Sequence, residues 1–306
     1  MRIPSDLTRY RFGAALLALL IISAVSIALA QDEGGDVPGG AELPGDFGAT
    51  TGVEQLVPEI ISVRPHDPNA WTQGLLYHDG FLYESTGNPD PDRSPISTLR
   101  QVDPQTGAII RRFDWPEPQV TYGLFAEGLA LLDNRLYQLT WLDNFAIAFD
   151  LTPPPGNPET FQPVRQLGYA GQGWGLCNFD DTAFYMSNGS SLITVREPND
   201  FVPIRVFEVT LDDVPVQRLN ELECVDGAIY ANVWQTTQIM RIDPTSGGVT
   251  AVIEAANLRA ADEIVNAEAS VDVLNGIAYD SDADTFLLTG KYWPALFEVR
   301  FILAEN

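Results

Sequence analysis

The chain has 306 residues, with 42 acidic against 17 basic side chains and a formal charge of −25. That balance excludes nucleic acid and anionic membrane as partners, because both need a basic face that displaces counterions. A hydrophobic content of 45% with 10% aromatic residues also excludes a disordered acidic tail, since such chains are poor in aromatics.

Arg2, Arg9 and Arg11 precede an uncharged apolar stretch over residues 12–30 that ends Ala28-Leu29-Ala30. A charged start, an apolar run and a small-x-small ending form a secretory signal. The expected location is therefore secreted or periplasmic, with a membrane anchor as the alternative if the run stays uncut. Cleavage after Ala30 leaves Gln31 as the new N-terminus. Residues 31–52 are rich in Gly, Pro and acid without periodicity, and read as a flexible linker.

Residues 53–306 read as one domain built from five copies of a unit. The copies are headed by GLLYHDGFLYEST at Gly74, GLALLDNRLYQLTW at Gly128, GLCNFDDTAFYMSNG at Gly175, ELECVDGAIYANVW at Glu221 and GIAYDSDADTFLLTGKYW at Gly276. Each copy reads as a short apolar strand, an Asp-Gly, Asp-Asn or Asp-Asp turn, and a returning strand, which together signal a hairpin. A more polar pair of strands follows, as in STLRQVDPQTGAIIRRF and QIMRIDPTSGGVTAVIEA. Four strands per 46–55 residues predict an all-β, five-bladed β-propeller. Helical periodicity is confined to the region around residues 255–264. The strand at residues 56–64, before the first copy, is expected to complete the last blade beside ALFEVRFIL and close the ring.

Blade repeats put first strands around a central channel, and a hairpin returns to the edge it left. The residues before the first strands are Gln73, Glu127, Trp174, Asn220 and Asn275; those ending the returning strands are Gly87, Trp141, Gly189, Trp234 and Lys291. One channel mouth therefore gathers one acid, several amides, three tryptophans and Lys291, the only lysine of the chain. That composition suits a concave site with convergent polar groups on an aromatic wall.

The segments PHDPNAWTQGLLY, LFAEGLALL, LTWL, GWGL, LNELE, ANVW and VLNGIAYD…LTGKYWP resemble the plant-type and bacterial glutaminyl cyclase (glutaminyl-peptide cyclotransferase) family, in order over about residues 57–300. The resemblance implies a five-bladed propeller that converts N-terminal glutamine of peptides or proteins to pyroglutamate and releases ammonia, with no metal or cofactor. It implies Glu127 as the catalytic acid, and Gln73, Phe125, Trp141, Trp174, Asn220, Trp234 and Lys291 as pocket residues. The chain departs from the family at Trp71, where phenylalanine is usual, at Ala126, and in the lengthened segment NPDPDRSPIS; these touch the rim rather than Glu127. A monomer is expected.

The residue types fit that reaction. The substrate's own amine is the nucleophile, so the protein has to fold the side chain back and move one proton. Glu127 is the single acid at the mouth, and burial beside tryptophan is expected to raise its pKa. Asn220, Gln73 and Lys291 are candidates to polarise the amide oxygen. Two other readings of the mouth are a metal-dependent propeller lactonase or esterase and a non-enzymatic peptide-binding propeller. Glu221 and Glu223 are candidates for second acids, but are expected instead to pair with arginine. His66 and His78 carry no metal-site spacing. By repeat alignment Cys177 is third and Cys224 fourth in their strands, which places them on opposite faces and predicts that they do not pair.

Overall fold

In a computed structural model, the protein is described over residues 52–90, 92–93, 96–116, 124–179 and 182–305. The expected signal, Gln31, nearly all of the linker and the Asp180-Asp181 turn lie outside the described residues.

All of the long elements are strands. The first copy forms β2 (Trp71–His78), β3 (Phe81–Gly87), β4 (Thr98–Val102) and β5 (Ile109–Asp114), a sheet in that order. The second forms β6 (Ala126–Leu132), β7 (Arg135–Thr140), β8 (Phe145–Asp150) and β9 (Gln162–Gly168). The third forms β10 (Leu176–Phe179), β11 (Ala183–Met186), β12 (Leu192–Arg196) and β13 (Pro203–Glu208). A two-stranded ribbon, β14 (Thr210–Leu211) with β15 (Val214–Pro215), precedes the fourth copy. The hairpin turns have the expected chemistry: Asp79-Gly80, Asp133-Asn134 and Asp226-Gly227 all take positive φ at both positions, which matches a type I′ turn to strand twist.

The last two copies share one eight-stranded sheet. Its strands are β16 (Leu219–Val225), β17 (Ala228–Val233), β18 (Gln238–Ile242), β19 (Val249–Glu254), then β1 (Glu54–Pro65), β22 (Ala295–Leu303), β21 (Thr285–Gly290) and β20 (Leu274–Asp280). β1 runs antiparallel to β22 from Leu56 opposite Leu303 to Pro65 opposite Ala295, as the orphan strand was expected to. It also pairs in parallel with β19 through Glu54, Gln55 and Leu56, which repeat counting does not foresee. Two single-turn helices, α1 (Ala256–Arg259) and α2 (Asp262–Val265), occupy the region of brief helical periodicity and bury Leu258 and Ile264.

The first strands stack on one another: β2 on β6, β6 on β10, β10 on β16, β16 on β20, and β20 on β2. Approach is close enough to demand glycine. A Cβ on Gly74 would stand 2.6 Å from the Leu129 nitrogen, and one on Gly175 would stand 2.1 Å from the Asn220 oxygen. Between neighbouring sheets lie slabs of apolar side chains, such as Leu76, Leu129, Leu136, Phe149 and Phe161. Each fully buried leucine or phenylalanine in them contributes about 1.5–3 kcal/mol.

This stacking corrects the reading of the cysteines. Cys177 and Cys224 form a disulfide, with Cα atoms 5.5 Å apart. They do point to opposite faces of equivalent strands. When β10 packs on β16, however, opposite faces of successive sheets are the ones that meet, so strand parity favours the bond.

Candidate active site

At the start of four inner strands the ladder slips. Register jumps between Thr72 and Gly74 on β2, Ala126 and Leu129 on β6, Leu219 and Leu222 on β16, and Leu274 and Ile277 on β20. Bulges of this kind re-aim side chains out of the pleat. The residues they release are Gln73, Glu127, Asn220, Glu221 and Asn275, all buried.

Gln73 and Glu127 meet across two sheets. Gln73 Nε2 donates to Glu127 Oε1 at 2.9 Å, and Asn275 Nδ2 donates to the Thr72 carbonyl at 2.9 Å and to Gln73 Oε1 at 3.4 Å. The main chain of Glu127 is held as well: its carbonyl accepts from Ser85 Oγ, which in turn accepts from Gln138 Nε2 at 2.8 Å. Gln73 therefore commits one of its two side-chain N–H donors to the carboxyl group.

Glu127 and Lys291 are 4% and 3% exposed, so both are effectively out of water. Burial pushes the Glu127 carboxyl well above the ordinary range, and the Lys291 charge pulls part of the way back. Burial lowers Lys291 to about 8, against the opposing pull of Glu127 and Asp272. Its Nζ lies 5.0 Å from the centre of the Trp71 ring, a cation–π arrangement, and Trp71 in turn meets Tyr292 edge-on at 4.9 Å.

Further aromatic side chains gather at neighbouring strand ends. Phe125 meets Trp141 at 5.8 Å, and Trp174 meets Trp234 edge-on at 5.5 Å. Gln172 Oε1 accepts from both Trp141 Nε1 and Trp174 Nε1 at 2.9 Å, joining the two pairs. Two glycines, Gly87 at the end of β3 and Gly189 three residues past β11, are what these rings lie on. A Cβ on Gly87 would stand 2.3 Å from the Phe125 ring, and one on Gly189 2.6 Å from the Trp174 ring. Asn220 Oδ1 is buried with no hydrogen-bond partner, an acceptor facing an expensive desolvation unless something donates to it.

Each anticipated residue thus has a place: Gln73, Glu127 and Lys291 form a buried polar group, while Phe125, Trp141, Trp174 and Trp234 form a wall at the same strand ends. Asn220 stands at the head of β16, its backbone carbonyl accepting from Ser187 Oγ at 2.6 Å. Sequence reading did not assign roles to Gln172 or Tyr292. Gln172 sits in the segment GQGWG beside Trp174, and Tyr292 follows Lys291, so adjacency to aligned positions was the available signal.

Glu221 and Glu223 correct an expectation, because neither pairs with arginine. Glu221 bridges two other first strands, its two oxygens accepting from the backbone of Leu75 at 3.3 Å and Ile277 at 2.9 Å. It replaces the glycine of the other copies and ties three first strands together. Glu223 accepts from Tyr279 N–H at 3.1 Å, beside a cavity of about 150 Å³ that Cys177 and Cys224 also line. Burial raises both carboxyl groups, Glu223 to about 8. Among the described residues no group of three or more His, Cys, Asp or Glu side chains comes together as a metal ion requires.

Residues 39–301 match the sequence profile of a family described as glutamine cyclotransferase. The glutaminyl-peptide cyclotransferase of Arabidopsis thaliana is 36% identical over 245 residues, 79% of this chain and 70% of that protein. The crystal structure of Myxococcus xanthus glutaminyl cyclase superimposes with a TM-score of 0.72 at 36% identity, over 83% of this chain and 100% of the other.

Proposed function

This chain belongs to the glutamine cyclotransferase family, and from that premise we propose how its channel mouth closes an N-terminal glutaminyl residue into pyroglutamate. The reaction is an acyl transfer within one residue. The α-amine forms a bond to the side-chain amide carbon, the bond to the amide nitrogen breaks, and ammonia leaves. One proton moves from the amine to the departing nitrogen.

Glu127 carries that proton. A carboxyl group that burial holds above its ordinary range lies closer in acidity to an amine, of pKa about 7.7–8.0, than a solvated carboxyl does, which eases proton exchange between them. The hydrogen bond from Gln73 fixes Oε1 and leaves the other oxygen to face substrate. Lys291, largely charged below pH 8, stabilises the oxygen of the tetrahedral intermediate as it gains negative charge. Asn220 Oδ1 accepts an N–H of the substrate, which removes its unpaired state. Phe125, Trp141, Trp174 and Trp234 pack the folded side chain and exclude water, whose attack would give glutamate instead of the lactam.

The observation that carries this reading is the Gln73–Glu127 hydrogen bond beside a buried lysine at an aromatic-walled mouth. A five-bladed, closed propeller belongs to the same proposal, supported by the β1–β22 ladder and by the packing of β20 on β2. So does export, supported by the Arg2, Arg9 and Arg11 leader pattern. The test is to incubate a glutamine-initiated peptide with the protein and measure ammonia and product mass. Ammonia with a pyroglutamyl product is expected; a glutamyl product or an unchanged peptide contradicts the reading.

A further inference from the structure

Beside the mouth, between the fourth and fifth copies, runs a cleft of about 460 Å³. Gln235, Thr236 and Thr237 form one wall, Asp272 and Val273 the other, and Arg259 stands in it at the end of α1. The cleft adjoins the site through its backbone. Gln235 follows Trp234 in the chain, Lys291 N–H donates to the Val273 carbonyl at 2.9 Å, and Asp272 N–H donates to the Lys291 carbonyl at 2.9 Å. A peptide whose first residue sits between Trp234 and Lys291 therefore has this cleft as a path for the residues that follow.

Most of the polar side chains in the cleft are already engaged. Thr236 Oγ1 donates to the Val233 carbonyl at 2.7 Å, Thr237 Oγ1 donates to Glu254, and Asp272 Oδ1 accepts from Val273 N–H at 2.7 Å. Gln235 Oε1 accepts from Arg218 Nη1 at 3.3 Å, which brings a second guanidinium to the same side. Arg259 differs. Half-buried, it has no side-chain hydrogen bond or ion pair among the described residues. Its position is nevertheless fixed, because the neighbouring Leu258 is fully buried and Asn257 Nδ2 donates to the Pro58 carbonyl at 2.7 Å. An unspent guanidinium on a fixed support is suited to a planar carboxylate, which it can hold through two parallel hydrogen bonds. Asp272 is the single acid among the lining residues, against Arg259 in the lining and Arg218 beside Gln235.

We propose that this cleft receives the peptide segment following the reactive glutamine, and that Arg259 selects a carboxylate borne by that segment. The proposal rests on the cyclisation reading above. The shared chemistry is a carboxylate, from an acidic side chain or from the C-terminus of a short peptide, and the substrates chosen separate the two sources.

The experiment measures kcat/KM for Gln-Glu-Glu-amide, Gln-Lys-Lys-amide, Gln-Ala-Ala-amide and free-acid Gln-Ala-Ala, each divided by the value for glutamine amide with the same protein. Arg259→Glu is expected to lower the Glu-to-Lys preference about fivefold or more, as a partly exposed charge contact predicts. Arg259→Gln should fall between it and the wild type, and Arg259→Lys should keep most of the preference. A parallel fall for free-acid over amidated Gln-Ala-Ala assigns the C-terminal carboxylate as a ligand too. Arg165→Glu, on the exposed strand β9, makes the same change in net charge and should leave the preference alone. An unchanged preference in both Arg259→Glu and Arg259→Gln, or an equal fall in Arg165→Glu, overturns the cleft assignment. No ammonia from glutamine amide with the wild type overturns the activity reading itself, and the assignment with it.

Discussion

Gln73, on the first sheet, donates a 2.9 Å hydrogen bond to the carboxyl group of Glu127 on the second. Both side chains are released from their strands by bulges, and both are buried, so the contact holds the Glu127 carboxyl group in one orientation. Gln73→Ala should lower kcat by about 10- to 100-fold, the consequence of leaving a buried acceptor unpaired, while KM changes little. Losing a donor to the carboxylate also raises the Glu127 pKa further, so the deficit should be larger at pH 6 than at pH 8. A rate loss independent of pH would remove the positioning role.

Lys291 is expected to set the alkaline side of the rate profile. Its pKa of about 8 means that the cation is lost as pH rises through that value. In the enzyme–substrate complex kcat should therefore fall above about pH 8. Lys291→Arg keeps a cation at all accessible pH and should raise the ratio of kcat at pH 9 to that at pH 7 over the wild type. Lys291→Met should depress kcat at both. Unchanged alkaline behaviour in Lys291→Arg would show that another group titrates there.

The Cys177–Cys224 disulfide closes a segment of 47 residues between stacked sheets. The chain-entropy relation gives about 4 kcal/mol of stabilisation for a loop of that size. The bond lies further along the strands than the mouth residues. Cys177→Ser with Cys224→Ser, or reduction, should lower the midpoint of chemical denaturation. The folded variant should keep its activity at 25 °C. Equal stability with and without the bond would contradict this.

His66 lies under the mouth. It meets the Trp293 carbonyl at 2.7 Å and Glu84 at 3.0 Å, and Glu84 also accepts from Thr72, the neighbour of Gln73. Both partners of the ring only accept, so the imidazole is doubly protonated. Burial alone pulls the His66 pKa down, but the Glu84 charge and hydrogen bond more than offset it, and the net shift is upward from 6.5. Burial pushes Glu84 up, yet His66 and Arg100 leave it below 4.5. The His66 contribution is full below pH 6.5 and lost as pH rises through its folded value. The Glu84 contribution is full above pH 4.5 and lost as pH falls through its own. The pair therefore stabilises most between about pH 4.5 and 6.5. The raised carboxyls of Glu127, Glu221 and Glu223 likewise weaken the fold above pH 4.5. Tm should decline from pH 5.5 to pH 8, and His66→Gln should flatten part of that decline. A Tm that rises over the interval would refute the assignment.

The strand repeats were legible because each copy carries its own punctuation: a glycine where first strands approach closely, and an Asp-led turn with positive φ. The composition of the mouth followed from aligning those copies, since equivalent positions in stacked hairpins fall at one edge. What strand periodicity does not encode is how sheets face each other. For that reason Cys177 and Cys224 were misread from parity within a strand, and Glu221 was assigned an arginine partner it does not have. The same limit hid the contact between Gln73 and Glu127, since a bulge breaks the alternation from which side-chain direction is inferred. The double pairing of β1 was invisible for a different reason, because an edge shared between two repeats has no repeat of its own.

The central claim is that Glu127 carries the proton from amine to ammonia, and Glu127→Gln tests it most directly. Ammonia release from a glutamine-initiated peptide should be measured for both proteins, with thermal unfolding as the check that the variant folds. The account predicts a folded variant whose kcat is lower by about 10²- to 10⁴-fold, the range for loss of a general acid–base group. A folded Glu127→Gln protein releasing ammonia at the wild-type rate would contradict it.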